Sequence, residues 1–170
     1  MQSSALYRHS LKRKGLKLLF AILTVTEFGL ASNGFAQQAV PYLPANSSTS
    51  LSRAVDLAVD GDVWALTSEG SVLRFRGGQR ISFDLTGLET PLKNPVAIYT
   101  RPEVDSVYVA DAGNQRIVEF DKNGKFVRAF KPQAQEGDAF DALKTLLANE
   151  AERKFYFIGD NTLYVANLPK

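Results

Sequence analysis

An all-β fold of repeated, stacked sheets is what this sequence predicts, and three observations predict it. A pattern of strand, break, aromatic-led strand, turn and strand occurs three times, as VDLAVDGDVWALTSEGSVLRF (55–75), VAIYTRPEVDSVYVADAGNQRIVEF (96–120) and LKTLLANEAERKFYFIGDNTLYVANL (143–168). The aromatics leading the second strands, Trp64, Tyr108 and Tyr156, stand 44 and 48 residues apart. Apolar and polar residues alternate within the segments, and turns rich in Gly, Asn and Asp separate them. A period of that length in all-strand sequence marks propeller blades stacked around an axis. The expected class is therefore all-β: a partial β-propeller of three four-stranded antiparallel blades (55–85, 96–130 and 143–168), preceded by an N-terminal apolar leader helix.

Residues 1–36 are expected to be a signal peptide or a membrane anchor. Arg8, Lys12, Arg13, Lys14 and Lys17 precede the charge-free run 18–26, and Glu27 ends it. Gly34-Phe35-Ala36 then places small residues at the −3 and −1 positions of a cleavage site. Nine apolar residues fall short of the roughly 20 that span a bilayer as a helix. Both alternatives export the body, to a secreted or periplasmic location, and any membrane contact runs through the leader alone. Residues 37–54 read as a linker, with Pro41, Pro44 and the glycosylation-type triplet Asn46-Ser47-Ser48. Within it, 40–43 has the makings of a short edge strand.

In the first blade, Val55, Leu57 and Val59 alternate with Asp56 and Ala58, which is the strand period. Asp60-Gly61 turns the chain into 63–67, Glu69-Gly70 into 71–75, and Gly77-Gly78 into a fourth strand over 81–85. The second blade repeats this over 96–100, 106–110, 116–120 and 126–130. Its last hairpin carries Asn123-Gly124, a pair suited to positive φ at both central turn positions. A calcium loop is the functional alternative for Asp121-Lys122-Asn123-Gly124, but the acidic residues such a loop requires next are absent, since LysPheValArg follows. The third blade has strands at 144–148, 155–158 and 163–166, and no segment for a fourth.

The second blade resembles an NHL-type propeller repeat, on ProValAlaIle (95–98), ValTyrValAlaAsp (107–111), GlyAsn (113–114), ArgIleValGluPhe (116–120) and Asp121 to Gly124. The first blade departs from it with Thr67, Gly70 and Ser71, and the third with Gly159 and Thr162. The resemblance, which covers 51–170, implies a six-bladed-like architecture. It also implies a binding or scaffold role, although some similar propellers are metal-dependent hydrolases or lyases.

Composition narrows the function. There is no Cys, and the lone His9 and lone Met1 both lie in the leader. The body therefore lacks the commonest general base, any thiolate nucleophile and the usual transition-metal ligands. Setting aside the leader's five basic residues and one acidic residue leaves 15 Lys and Arg against 17 Asp and Glu. A weakly acidic body with no basic stripe is poor material for nucleic-acid contact. The expectation is a non-enzymatic module for protein or glycan contact, with no cofactor and no metal. The alternatives are a C-terminal fragment of a longer propeller and a metal-dependent, lactonase-like hydrolase.

Three blades do not close a ring, and an open arc leaves an apolar face uncovered at each end. A second copy, a second chain, or further blades of a longer chain would each complete it. Candidate contact residues lie at one mouth, on the loops between second and third strands: Glu69 beside Ser68, Asp111, Asn114 and Arg116 beside Gln115, and Asp160 with Asn161. The inter-blade loops 86–94 and 131–138 would share that face. Turn capping by Asp111 and a left-handed conformation at Asn114 are the competing structural roles. Trp64, Tyr108 and Tyr156 are expected to pack between blades. Asp60, Asp62, Glu103 and Asp105, at the opposite rim, are expected to be solvated turn residues.

Overall fold

The computed structural model describes residues 39–132 and 139–168. The expected leader helix and residues 133–138 of the second inter-blade loop lie outside the described residues. Among the described residues eleven strands form three antiparallel sheets in simple up-and-down order. The first holds β1 (Ala54–Val59), β2 (Val63–Thr67), β3 (Val72–Arg76) and β4 (Gln79–Ile81). The second holds β5 (Pro95–Tyr99), β6 (Ser106–Asp111), β7 (Arg116–Asp121) and β8 (Phe126–Phe130). The third holds β9 (Thr145–Asn149), β10 (Lys154–Gly159) and β11 (Thr162–Asn167), and among the described residues it has no fourth strand. A single 3-10 turn, Ala112–Asn114, is the only helical element described. The inner strands β1, β5 and β9 lie side by side, which is how blades line an axis.

The three sheets share one register. Trp64 pairs with Ala58, Tyr108 with Tyr99, and Tyr156 with Leu147, so the aromatics hold equivalent positions. Because side chains alternate across a strand, each blade has a forward face toward the next blade and a rear face toward the one before. Trp64, Leu66 and Val72 on the forward face of blade 1 pack against Ile98, Val107 and Val109 on the rear of blade 2. Tyr99, Tyr108 and Ile117 on the forward face of blade 2 pack against Leu146, Phe155 and Phe157 on the rear of blade 3. Edge-on ring contacts seat both junctions: Trp64 meets Phe83 at 4.9 Å and Tyr108 meets Phe155 at 5.1 Å between centroids. Such pairs add about 0.5–1.5 kcal/mol beyond area burial.

Four local expectations are corrected. The fourth strand of blade 1 ends at Ile81. Beyond it, Phe83 and Leu85 turn into the core between blades 1 and 2. The chain then crosses to the outer hairpin of blade 2, where Thr86 donates to the Gly124 carbonyl and accepts from the Phe126 N–H, both at 2.9 Å. That crossing takes the place of strand pairing. In the Asn123-Gly124 turn only Gly124 has positive φ (87°). The Asp121 carboxylate instead caps the N–H groups of Asn123 and Lys125, at 2.8 and 3.0 Å, and a bulge at Glu119/Phe120 absorbs the extra residue. Around the β6–β7 turn the left-handed residue is Gln115 (φ 49°), not Asn114. Residues 40–43 form no strand; Leu43 packs on the rear of blade 1 against Ala65, Leu73 and Phe75.

Candidate functional site

The candidate mouth is built on the β6–β7 turn. Asp111 is fully buried at the end of β6. Its Oδ1 accepts the Lys93 N–H at 2.7 Å, and its Oδ2 accepts from Arg116 Nε at 2.7 Å and Asn114 Nδ2 at 2.8 Å. Arg116 also donates to the Thr90 carbonyl at 2.7 Å, and Asn114 to that of Pro91 at 2.9 Å. The three residues come together as expected. Their hydrogen bonds, however, run inward, clamping the 90–93 segment between blades 1 and 2 onto blade 2. A buried carboxylate–guanidinium pair with its remaining sites filled is satisfied and rigid.

The other candidates stand on equivalent turns of their own blades and do not join this cluster. Glu69 pairs with Arg53, both side chains largely exposed. Asp160 and Asn161 both adopt positive φ (41° and 60°), as the tight β10–β11 hairpin demands. The Asp160 N–H donates to the Asp141 carbonyl at 2.9 Å, and the Asn161 side-chain oxygen accepts from Lys144. Gln115 reaches across to the Asp141 carboxylate and so ties the mouth of blade 2 to blade 3.

The opposite rim overturns one expectation. Asp60 and Asp62 are not solvated turn residues, although Glu103 and Asp105 are exposed as expected. Asp62, 4% exposed, accepts from Arg74 Nε at 2.5 Å and from Arg76 Nε and Nη2 at 2.7 and 2.8 Å. Asp60 accepts from Trp64 Nε1 at 2.6 Å and pairs with Lys122 of blade 2 at 2.5 Å. The Arg76 hydrogen bond holds the Asp62 carboxyl below the usual carboxylate range, against the opposing effect of burial. For Asp60, burial pushes upward, but hydrogen bonds from Lys122 and Trp64 outweigh it and the carboxyl is lowered. Arg74 also lies over the Trp64 ring, 4.5 Å from its centroid, and donates to the Lys122 carbonyl across the blade junction. A polar groove of about 470 Å³ opens beside these groups.

A second polar junction joins blades 2 and 3. The buried Tyr108 donates its hydroxyl to Glu150 at 2.9 Å, while the buried Glu119 accepts from Ser106 Oγ and Arg128 Nε, each at 2.8 Å. Burial first, then the neighbouring Glu119 and Glu150 carboxylates, push the Tyr108 phenol far above its usual value. Sequence reasoning passes over the Asp60–Lys122 and Tyr108–Glu150 contacts because each joins blades that are distant along the chain. Among the described residues no three His, Cys, Asp or Glu side chains converge as metal ligands, and every buried side-chain polar atom has a partner.

No family model and no curated relative matches the sequence. Solved structures do match its fold. Hydrazine synthase of Kuenenia stuttgartiensis superposes with a TM-score of 0.52 at 13% identity, over 72% of this chain and 34% of that one. The fold is a β-propeller segment. A streptogramin B lyase matches at TM-score 0.49 and 16% identity, over 70% of this chain and 42% of the lyase. BamB of Moraxella catarrhalis matches at 0.42 and 17%, over 64% and 29%. The chain thus spans 34%, 42% and 29% of the lengths of these three proteins. At such identities the likeness is one of fold alone.

Proposed function

We propose that this chain is an exported, NHL-like scaffold module that makes protein contacts through the two open faces of its blade stack, with no catalytic step. The observation that carries the proposal is the pair of end faces. On the rear of blade 1, Leu57 and Val59 are each 59% exposed, and on the forward face of blade 3 Leu163 and Val165 are 70% and 59% exposed. The positions equivalent to Leu57 are buried at both internal junctions, as Ile98 and Leu146, and so are those equivalent to Leu163, as Val72 and Ile117; soluble proteins seldom leave apolar surface of this kind uncovered. Leu57, Val59, Leu163 and Val165 are aliphatic groups of the kind that the core of a protein–protein interface buries. In this scheme Asp111, Asn114 and Arg116 hold the mouth in shape. Glu69, Asp160 and Asn161 are the rim groups left near solvent for secondary contacts.

The test is the light-scattering mass of the full chain, in mild detergent if the leader is retained, beside a Leu57→Asp, Val165→Asp double variant. Both positions are exposed, so the variant keeps its fold and its far-ultraviolet spectrum. The proposal expects the wild-type chain to be associated and the variant to fall to the mass of one folded chain. A wild-type chain that is already a stable single-chain species overturns it.

A further inference from the structure

Resting on that scaffold role, the geometry points to a specific occupant of the end faces: a second copy of this chain, joined head to tail at both ends to close a six-bladed ring. The two open faces are opposite halves of one kind of interface. Each internal junction sets a forward face with an aromatic at one fixed register position, Trp64 or Tyr108, against a rear face whose inner strand carries a buried aliphatic residue, Ile98 or Leu146. Blade 3 presents that forward face with Tyr156 at the position of Trp64 and Tyr108. Blade 1 presents the matching rear face with Leu57 at the position that Ile98 and Leu146 fill in blades 2 and 3. The mate of each face is therefore carried on the other end of the same chain.

The breadth of the two faces also matches. Among the described residues blade 3 has three strands, so the forward face they form is narrow on the outside. Leu43 covers the outer part of the rear face of blade 1, over Leu73 and Phe75, and leaves the inner strand β1 open. The part left bare is the part that a three-stranded blade can cover. A heterologous contact of this sort forms either a closed ring or an open filament. The described residues of two copies supply six blades, within the four to eight that propellers typically use.

The internal junction gives the atomic register of the test. The Asp56 carboxylate of blade 1 accepts the Ile98 N–H of blade 2 at 2.9 Å. Thr145 occupies the Asp56 position in blade 3, and Leu57 occupies the Ile98 position in blade 1. Thr145 of one copy is thus expected to lie against Leu57 of the other. The chain has no cysteine, so Leu57→Cys and Thr145→Cys report on this contact without background. The two single variants of the full chain, mixed and treated with a short bis-maleimide, should give a covalent two-chain species. The double variant should give the same two-chain product without a ladder, because both junctions close within one pair. A second pair, Val59→Cys with Leu147→Cys, repeats the test two residues along, should either variant of the first pair fail to fold.

Absence of cross-linking in both pairs overturns the ring, as does cross-linking within either single variant alone, which means a two-fold face-to-face contact. A ladder of larger products also overturns it in favour of an open filament. An associated wild-type chain whose Leu57→Cys and Thr145→Cys variants give no link to each other removes the ring and leaves the scaffold role standing, with another protein as occupant. A single-chain wild type removes both.

Discussion

Blades 2 and 3 follow the same pattern, yet only blade 2 is enclosed on both faces. Tyr108 of blade 2 is 2% exposed, with its ring against Phe155 and its hydroxyl on Glu150. Tyr156, at the same register position in blade 3, is only partly buried and donates its hydroxyl to Glu152 four residues away. In blade 2, β6 and all but the last residue of β7 are buried, whereas in blade 3 β9 and β10 alternate and β11 is largely open. The strand sequence supplies the blade, and the neighbouring blade supplies its burial. In repeat architectures stability is the sum of such units and their shared faces.

Substitutions can break that comparison. The largest effect is expected from Phe120→Ala in the core between blades 1 and 2, at about 3–5 kcal/mol of stability. A cut on the open face, Leu163→Ala, should cost under about 0.5 kcal/mol in a single-chain state. Comparable denaturation midpoints for the two variants would contradict the contrast. Asp111→Ala should follow closely, at about 3–5 kcal/mol, because it leaves Arg116 buried without its carboxylate. Proteolysis near residues 90–93 should rise with it, while a variant as resistant as the wild type would deny the clamp.

Titration sharpens the same contrast by smaller amounts. Asp60 and Asp62 have folded pKa values lowered below 3.8, so they add stability above that value and lose it as pH falls through the folded pKa. Asp62→Asn should flatten the acid limb of the stability curve, and an unaltered limb would show that the pair is not coupled to folding. The Tyr108 pKa is raised, so its contribution is complete below about pH 10 and is lost as pH rises through the folded value. Tyr108→Phe should weaken the alkaline fall in stability.

Much of the fold is legible in the sequence because periodicity carries it. Trp64, Tyr108 and Tyr156 mark the register of three sheets, and Gly70, Gly77, Gly78 and Gly124 mark the turns with positive φ. Residues 83–85 depart from their expected strand because β-propensity cannot foresee the crossing that brings Thr86 to Gly124. At the mouth, spacing alone picks out Asp111, Asn114 and Arg116, since all three belong to one turn. The Asp60–Lys122 and Tyr108–Glu150 contacts join residues far apart in the chain, and no local pattern announces them.

Hydroxyl-radical footprinting of Tyr156 against Tyr108, in wild type and in Leu57→Asp, tests most directly whether the open face of blade 3 is an unfilled copy of the junction that buries Tyr108. Tyr156 in the associated wild-type chain should be protected nearly as well as Tyr108, and it should become reactive in the variant while Tyr108 stays protected. Equal, high reactivity of Tyr156 in both proteins would contradict the account.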